Sequence, residues 1–304
     1  MGKIAFVFSG QGAQAPGMGL GLYNASQAAR DVFAAADDVR PGTSEMCFYG
    51  TQEDLKITAN TQPCLYAVEM AAAAVLSETG IKADAAAGFS LGELAALTYA
   101  GSMDLRTGLE LVNKRAQFMQ ASAEKYDTSM VAVVKLSNEK VAEICSGFDN
   151  VYPVNFNCPG QVTVAALSEC TADLSAAVKA AGGRAIPVKV SGAFHSPYMA
   201  SASEAFKKEI EKAQIGAPEI PVYSNYLGDV YTDDVKGILG MQISSPVKWE
   251  TIIRAMIAAG TDTFIELGAG KTLSGFIKKI DSGVRRYNLE SEEDLELIVS
   301  EVGR

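Results

Sequence analysis

The chain has 304 residues, 48% of them hydrophobic, so it can bury a large core as one big domain or a domain with an insert, and a disordered chain is excluded. Its formal charge of −10, without a long lysine-arginine run, argues against nucleic acid as the main partner. Its most apolar stretches, such as AVEMAAAAVL, are interrupted well short of the ~20 residues that cross a bilayer, and the N-terminus has no signal-peptide pattern, so the expectation is a cytoplasmic protein with no membrane association.

In chain order, KIAFVFSG is a short apolar run closed by glycine and reads as a buried strand, followed by the loop GQGAQAPGMGLG. CLYAVEMAAAAVLSETG has helical length and composition with a glycine stop, and ADAAAG reads as a short strand. That strand leads into AGFSLGE, which fits G-x-S-x-G, the nucleophile-elbow pattern, with Ser90 at its centre. SLGELAALTYAG then completes the strand, turn, helix context that this pattern requires. On the next helix, LRTGLELVNKRAQFMQAS, a 3.6-residue period places Leu109, Leu111, Val112, Ala116, Phe118 and Met119 in one apolar sector, with Arg115 inside it. Lys114, Arg106, Glu110 and Gln117 fall on the opposite, solvated side.

From Met130 to Val190 the pattern changes. MVAVVKL reads as a strand, SNEKVAEICSGF as a helix, VYPVNF and QVTVAAL as strands around a turn at Asn157-Cys158-Pro159-Gly160, TADLSAAVKAAG as a helix and RAIPVKV as a strand. The order βαββαβ is ferredoxin-like. PVYSN, the helix WETIIRAMIAAG and the strand TFIEL then resume an α/β pattern. The expected architecture is a discontinuous α/β domain, residues 1–128 and 191–304, carrying a small ferredoxin-like domain over residues 129–190.

A serine hydroxyl is a weak nucleophile near neutral pH and needs a base. His195 is the one histidine, so it is the one imidazole candidate, and a multi-histidine metal site is excluded. It lies in SGAFHSPYM, where the chain returns from the small domain and can reach a cleft between the two. The alternative is a histidine with a satisfied structural hydrogen bond. No acidic residue near it is an obvious third member, so a carbonyl is the expected orienting group. Arg115 on a buried stripe needs an anion: either an internal Asp or Glu, or a substrate carboxylate gripped by its planar fork. Gly10-x-Gly12-x-x-Ala15 loosely matches a dinucleotide fingerprint, but Pro16, Gly17, Gly19 and Gly21 interrupt the helix that should follow, which disfavours NAD. The other reading is an oxyanion hole formed by Gln11, on a strand end, and the amide of Leu91. The five cysteines (Cys47, Cys64, Cys145, Cys158, Cys170) are odd in number and lack C-x-x-C spacing, so they read as reduced packing residues, with neither disulfides nor zinc.

FSGQGAQ, GFSLGE, Arg115 followed by FMQ, NCPGQV, GAFHSPYM and SSPVKW, in that order across nearly the whole chain, resemble the malonyl-CoA:acyl carrier protein transacylases. The resemblance implies an α/β-hydrolase-like large domain with a parallel sheet, an inserted ferredoxin-like small domain, and ping-pong transfer of malonyl from coenzyme A to the phosphopantetheine thiol of acyl carrier protein. It supplies fatty-acid or polyketide chain extension and needs no cofactor, since both thioesters are substrates; a monomer is the default. By matching positions, Ser90 is the acylated nucleophile, His195 the base, Gln11 and the Leu91 amide the oxyanion hole, Arg115 the malonyl carboxylate ligand, and Gln242 the source of the carbonyl that orients the histidine. Phe194 matches members that take malonyl, whereas a small residue there marks methylmalonyl users. One departure is Phe89, where the family usually has histidine before the serine; it reads as a packing substitution. An acidic carrier protein needs a basic patch, for which Lys189, Lys207, Lys208, Lys278, Lys279, Arg285 and Arg286 are the candidates, unless these are scattered solvated side chains. A serine hydrolase or thioesterase and a non-enzymatic carrier-binding module are the competing functions.

Overall fold

The computed structural model describes residues 2–188, 190 and 192–303. Among them the strands are β1 Lys3–Phe8, β2 Ala85–Gly88, β3 Thr128–Val134, β4 Val151–Cys158, β5 Gln161–Leu167, β6 Arg184–Val188, β7 Val222–Tyr223, β8 Thr261–Leu267 and β9 Arg285–Leu289. The helices are α1 Leu20–Ala25, α2 Gln27–Val39, α3 Thr43–Tyr49, α4 Thr58–Glu78, α5 Gly92–Tyr99, α6 Leu105–Ala123, α7 Asn138–Cys145, α8 Thr171–Ala180, α9 Ala200–Lys212, α10 Val235–Met241, α11 Trp249–Ala258, α12 Thr272–Ile280 and α13 Glu292–Val302.

The larger sheet runs β7-β2-β1-β8-β9 with every neighbouring pair parallel. Its central strands are apolar on both faces, as a sheet covered on both sides requires. Alternation along β1 sends Phe6 and Phe8 into a core with Leu65 and Val68 of α4 and Leu94 and Leu97 of α5. Ala5 and Val7 point the other way, against Trp249 and Ile252 of α11 and Leu273 and Ile277 of α12. The smaller sheet is antiparallel, in the order β4-β5-β3-β6, which is the ferredoxin-like arrangement expected from βαββαβ. One of its faces packs on α7 and α8 through Val131, Val133, Val141, Leu174 and Val178. The other face turns Met130, Ala132, Asn155, Asn157 and Thr163 toward the larger sheet. Backbone bonds between Val154 and Val247 (2.8 Å) and between Phe156 and Val247 (2.9 Å) tie β4 to the segment before α11.

Three local expectations are corrected. The turn expected at Asn157-Cys158-Pro159-Gly160 is tighter, because β4 pairs through Cys158 with Gln161, and Gly160 at φ 73° closes the loop. Helix α4 starts at Thr58, six residues before the Cys64 expected, and carries Pro63 inside it. Being near the helix start, this proline costs one intrahelical bond and leaves Gln62 on a helical face. Gln11 is not on a strand end, since β1 stops at Phe8 and Gln11 occupies the turn that follows.

Candidate active site

Strand β2 delivers Ser90 into α5 through a turn that only a particular sequence can make. Ser90 sits at φ 55°, a left-handed conformation that is rare outside glycine. A Cβ on Gly88 would stand 1.8 Å from the Gly92 carbonyl carbon, and one on Gly92 would stand 2.4 Å from the carbonyl oxygens of Phe8 and Ser9. Those contacts are the physical content of the two glycines in G-x-S-x-G. Asn225, just after β7, locks the turn: its Oδ1 accepts the Ser90 N–H at 2.6 Å and its Nδ2 donates to the Gly88 carbonyl at 2.6 Å.

Ser90 Oγ lies 2.6 Å from His195 Nε2. His195 is also at positive φ, 61°, and its Nδ1 faces the carbonyl oxygens of Gln242 at 3.1 Å and Ser245 at 3.2 Å. Carbonyls only accept, so Nδ1 carries the proton and Nε2 is left as the acceptor for the serine hydroxyl. Burial, and then the Arg115 cation, lower the His195 pKa to about 4, against the opposing pull of the two carbonyls. The imidazole is therefore neutral near pH 7, the form a base must have.

Arg115 is fully buried on α6 and lies behind Ser90. Its Nη1 donates to Gln62 Oε1 at 2.7 Å, and its Nη2 donates to Gln242 Oε1 at 2.8 Å and to Ser90 Oγ at 3.1 Å. Its Nε has no partner, and no described carboxylate lies within ion-pair distance of it. Burial lowers its pKa to about 10, which still leaves it charged at neutral pH. The internal Asp or Glu contact, one of the two readings of this residue, is absent among the described residues.

The Ser9–Gln11 loop lies against the elbow, close enough that a Cβ on Gly10 would stand 2.6 Å from the Phe89 carbonyl. Gln11 Nε2 donates to Thr58 Oγ1 at 3.1 Å. The backbone N–H groups of Gln11 and Leu91 donate to no other described group, so both are available to an oxyanion. In front of Ser90 opens a cavity of about 230 Å³, walled by Phe89, Phe194 and Phe276 on one side and by Met130, Asn157 and Thr163 of the smaller sheet on the other. Phe89 packs edge-on against Trp249, with ring centroids 5.6 Å apart. Among the described residues no three His, Cys, Asp or Glu side chains gather where a metal ion could be held. Lys189, one of the basic residues considered for docking, lies outside the described residues.

The structure thus brings Ser90, His195, Arg115, Gln242, Leu91, Gln11 and Phe194 to one place. Three supporting residues were missed in the sequence: Gln62, whose partner is 53 positions away, Asn225, whose partner is 135 positions away, and Ser245, which contributes only a carbonyl. A polar residue directly after an apolar strand, as in PVYSN, was the one available hint for Asn225.

Residues 5–287 match the family model of the acyl transferase domain. The malonyl CoA-acyl carrier protein transacylase of Bacillus subtilis is 36% identical over 98% of this chain and 97% of its own length. The crystal structure of the enzyme of the same name from Clostridium perfringens superposes with a TM-score of 0.95 at 35% identity, covering 99% of this chain and 97% of that one. A malonyl-transacylase in complex with its type II PKS acyl-carrier protein superposes with a TM-score of 0.94 at 32% identity, covering 98% of this chain and 99% of that one. With its elbow serine, its histidine base geometry and these relatives along its whole length, the chain belongs to the acyl transferase domain family, among the malonyl CoA-acyl carrier protein transacylases.

Proposed function

We propose that the protein transfers a malonyl group from malonyl-CoA to the phosphopantetheine thiol of acyl carrier protein, through a malonyl ester on Ser90, for fatty-acid or polyketide chain extension. The observation that carries this reading is Arg115: a buried guanidinium in contact with the nucleophile, with no carboxylate partner of its own. An enzyme for neutral acyl groups gains nothing from such a cation, whereas a malonyl carboxylate supplies the missing anion. In the proposed cycle His195 Nε2 takes the Ser90 proton as Oγ attacks the thioester, and the N–H groups of Leu91 and Gln11 hold the oxyanion. His195 then gives the proton to the departing coenzyme A thiol. The carrier thiol enters, His195 takes its proton, and the reverse sequence returns Ser90. The two thioesters are substrates, so the cycle uses no resident cofactor.

We place the smaller sheet, residues 129–190, as an inserted domain that roofs the site, with residues 1–128 and 191–304 forming the catalytic base. The five cysteines are free, in keeping with the proposed cytoplasmic setting, and the protein is proposed to act as a monomer. The test is incubation with radiolabelled malonyl-CoA followed by peptide mapping. Label is expected on Ser90, lost in Ser90→Ala and discharged by acyl carrier protein. Label persisting in Ser90→Ala, or discharged only to water, would overturn the assignment.

A further inference from the structure

The proposed cycle uses Ser90, His195 and Arg115 and gives no role to the buried carboxylate that stands nearest them along the chain. Glu93 stands in the first turn of α5, three residues after the nucleophile, with no exposed surface. Its Oε1 accepts from Tyr231 Oη at 2.5 Å and from the Asn225 N–H at 3.2 Å, and its Oε2 accepts from Gln242 Nε2 at 2.7 Å. The same amide nitrogen donates to the Ser90 carbonyl at 2.6 Å, while Gln242 Oε1 accepts from Arg115 Nη2 at 2.8 Å. The amide orientation follows from chemistry, since a guanidinium only donates and must face the oxygen. One side chain therefore bridges a buried carboxylate and a buried guanidinium that do not touch each other.

We infer that Glu93 is the counter-charge of Arg115 in the unacylated enzyme, coupled to it through Gln242, and that it takes up a proton when the malonyl carboxylate arrives, so that it sets how strongly the site prefers a carboxylate-bearing acyl group. The inference rests on the reading of Arg115 as the carboxylate ligand. Its logic is electrostatic. One buried cation balances one anion well, and a second anion brought beside it must displace or neutralise the first. Formation of the malonyl ester itself consumes no proton, because coenzyme A leaves as a thiol; the proton that Glu93 binds comes from solvent.

The surroundings single out Glu93 as the group able to respond. Burial raises its pKa to about 6, while the donors Tyr231, Gln242 and Asn225 hold it from rising further. Burial raises the pKa of Tyr231 on one side and of Glu69 and Tyr66 of the adjacent α4, and Glu69 accepts from Ser9 Oγ at 2.8 Å instead of joining the Gln242 bridge. Across from it, Arg115 is the one charged residue of α6 that points inward, since Arg106, Glu110 and Lys114 are exposed. Lys3 of β1 and Glu78 at the far end of α4 are exposed as well. His195, at about 4, is the remaining group that the Arg115 field reaches.

Protonating Glu93 frees the Arg115 field for the substrate, so the ratio of kcat/KM for malonyl-CoA over acetyl-CoA should rise as pH falls from 8 to 5.5. The rise can reach about tenfold for each pKa unit by which malonyl displaces the Glu93 titration. Mixing the intact enzyme with malonyl-CoA in weak buffer at pH 6.5 should take up a fraction of a proton per acylated site, and acetyl-CoA should take up none. Glu93→Gln should abolish the uptake and make the ratio independent of pH. Tyr231→Phe, which removes one donor to Glu93 and leaves Arg115 and His195 untouched, should move the midpoint of the ratio to higher pH. Uptake that survives in Glu93→Gln comes from another group and overturns the inference, as does a wild-type ratio that is flat with pH. Arg115→Ala separates the two levels: if it leaves the malonyl-to-acetyl ratio unchanged, the reading of Arg115 fails, whereas if it lowers the ratio while Glu93→Gln does nothing, only the role of Glu93 fails.

Discussion

Two non-glycine residues at positive φ, Ser90 at 55° and His195 at 61°, face each other across the site. Such conformations cost on the order of 1–3 kcal/mol each and persist where the surroundings over-determine them, as Asn225 does for Ser90 and the Gln242 and Ser245 carbonyls do for His195. The depressed histidine titration gives a direct expectation. For an acyl donor without a carboxylate, such as acetyl-CoA, kcat/KM should stay level from pH 8 down to near 5 and fall as pH passes through about 4, where imidazolium replaces the base. A midpoint at the ordinary histidine value would contradict the buried, Arg115-facing environment. The same shift has a stability sign: a histidine held neutral contributes stability that is complete above its unfolded pKa and is lost as pH falls toward 4. Phe194, buried on the cavity wall, leaves little room for a branched acyl group. Phe194→Ser should therefore lower the preference for malonyl-CoA over methylmalonyl-CoA, read as the ratio of the two kcat/KM values; one methyl group is commonly worth about 1–3 kcal/mol in an apolar pocket, or more against a fixed ring.

At the scale of elements, the site depends on how closely β1, β2 and α5 approach. Gly92 is where α5 begins against the end of β1, and its missing side chain is what lets the helix start there. Gly92→Ala should destabilise the protein by more than about 2 kcal/mol and abolish the proposed acylation, because the Cβ would push on the Phe8 and Ser9 carbonyls and so on the Ser9–Gln11 loop. Gly275 is the matching control. It is exposed in the middle of α12 with nothing within 4 Å of a new Cβ, so Gly275→Ala should stabilise by about 0.5–1 kcal/mol with normal activity. Thermal denaturation of the two variants checks both signs. Helix α12 is itself held by Glu266, which accepts from the Leu273 N–H at 3.0 Å and the Ser274 N–H at 2.7 Å, and this fixes Phe276 in the cavity wall.

At the scale of the molecule, the charge of −10 opposes an acidic carrier, so docking needs local cations. Of the described candidates, Lys207 pairs with Glu204 and Arg285 with Asp262, while Arg286 donates to backbone carbonyls. Lys208, Lys278 and Lys279 make no ion pair with a described residue, and of these Lys278 and Lys279 lie at the end of the helix whose first turns wall the cavity. Replacing both by glutamate should raise KM for acyl carrier protein several-fold at low salt, with the effect shrinking as salt is added and with KM for malonyl-CoA unchanged. Equal loss with both substrates, or none, would move the docking surface elsewhere.

The sequence by itself determined the elements whose signals are local. The apolar β1, the elbow glycines, the βαββαβ order and the inward-facing Arg115 on α6 all follow from period, glycine placement and composition within a dozen residues. It also narrowed any imidazole base to His195, because there is no second imidazole. Tertiary structure alone decided what surrounds these groups. Gln62 on the early turns of α4, Asn225 after β7 and the Ser245 carbonyl reach the site from separate parts of the chain, and no periodicity records a contact 135 residues away. Whether Arg115 had an internal carboxylate partner was likewise open in the sequence, since any of 36 acidic residues qualified. Only the fold shows the nearest candidate, Glu93, held one amide away, because the distance between two charges on different elements is set by how those elements pack and not by what either one is made of.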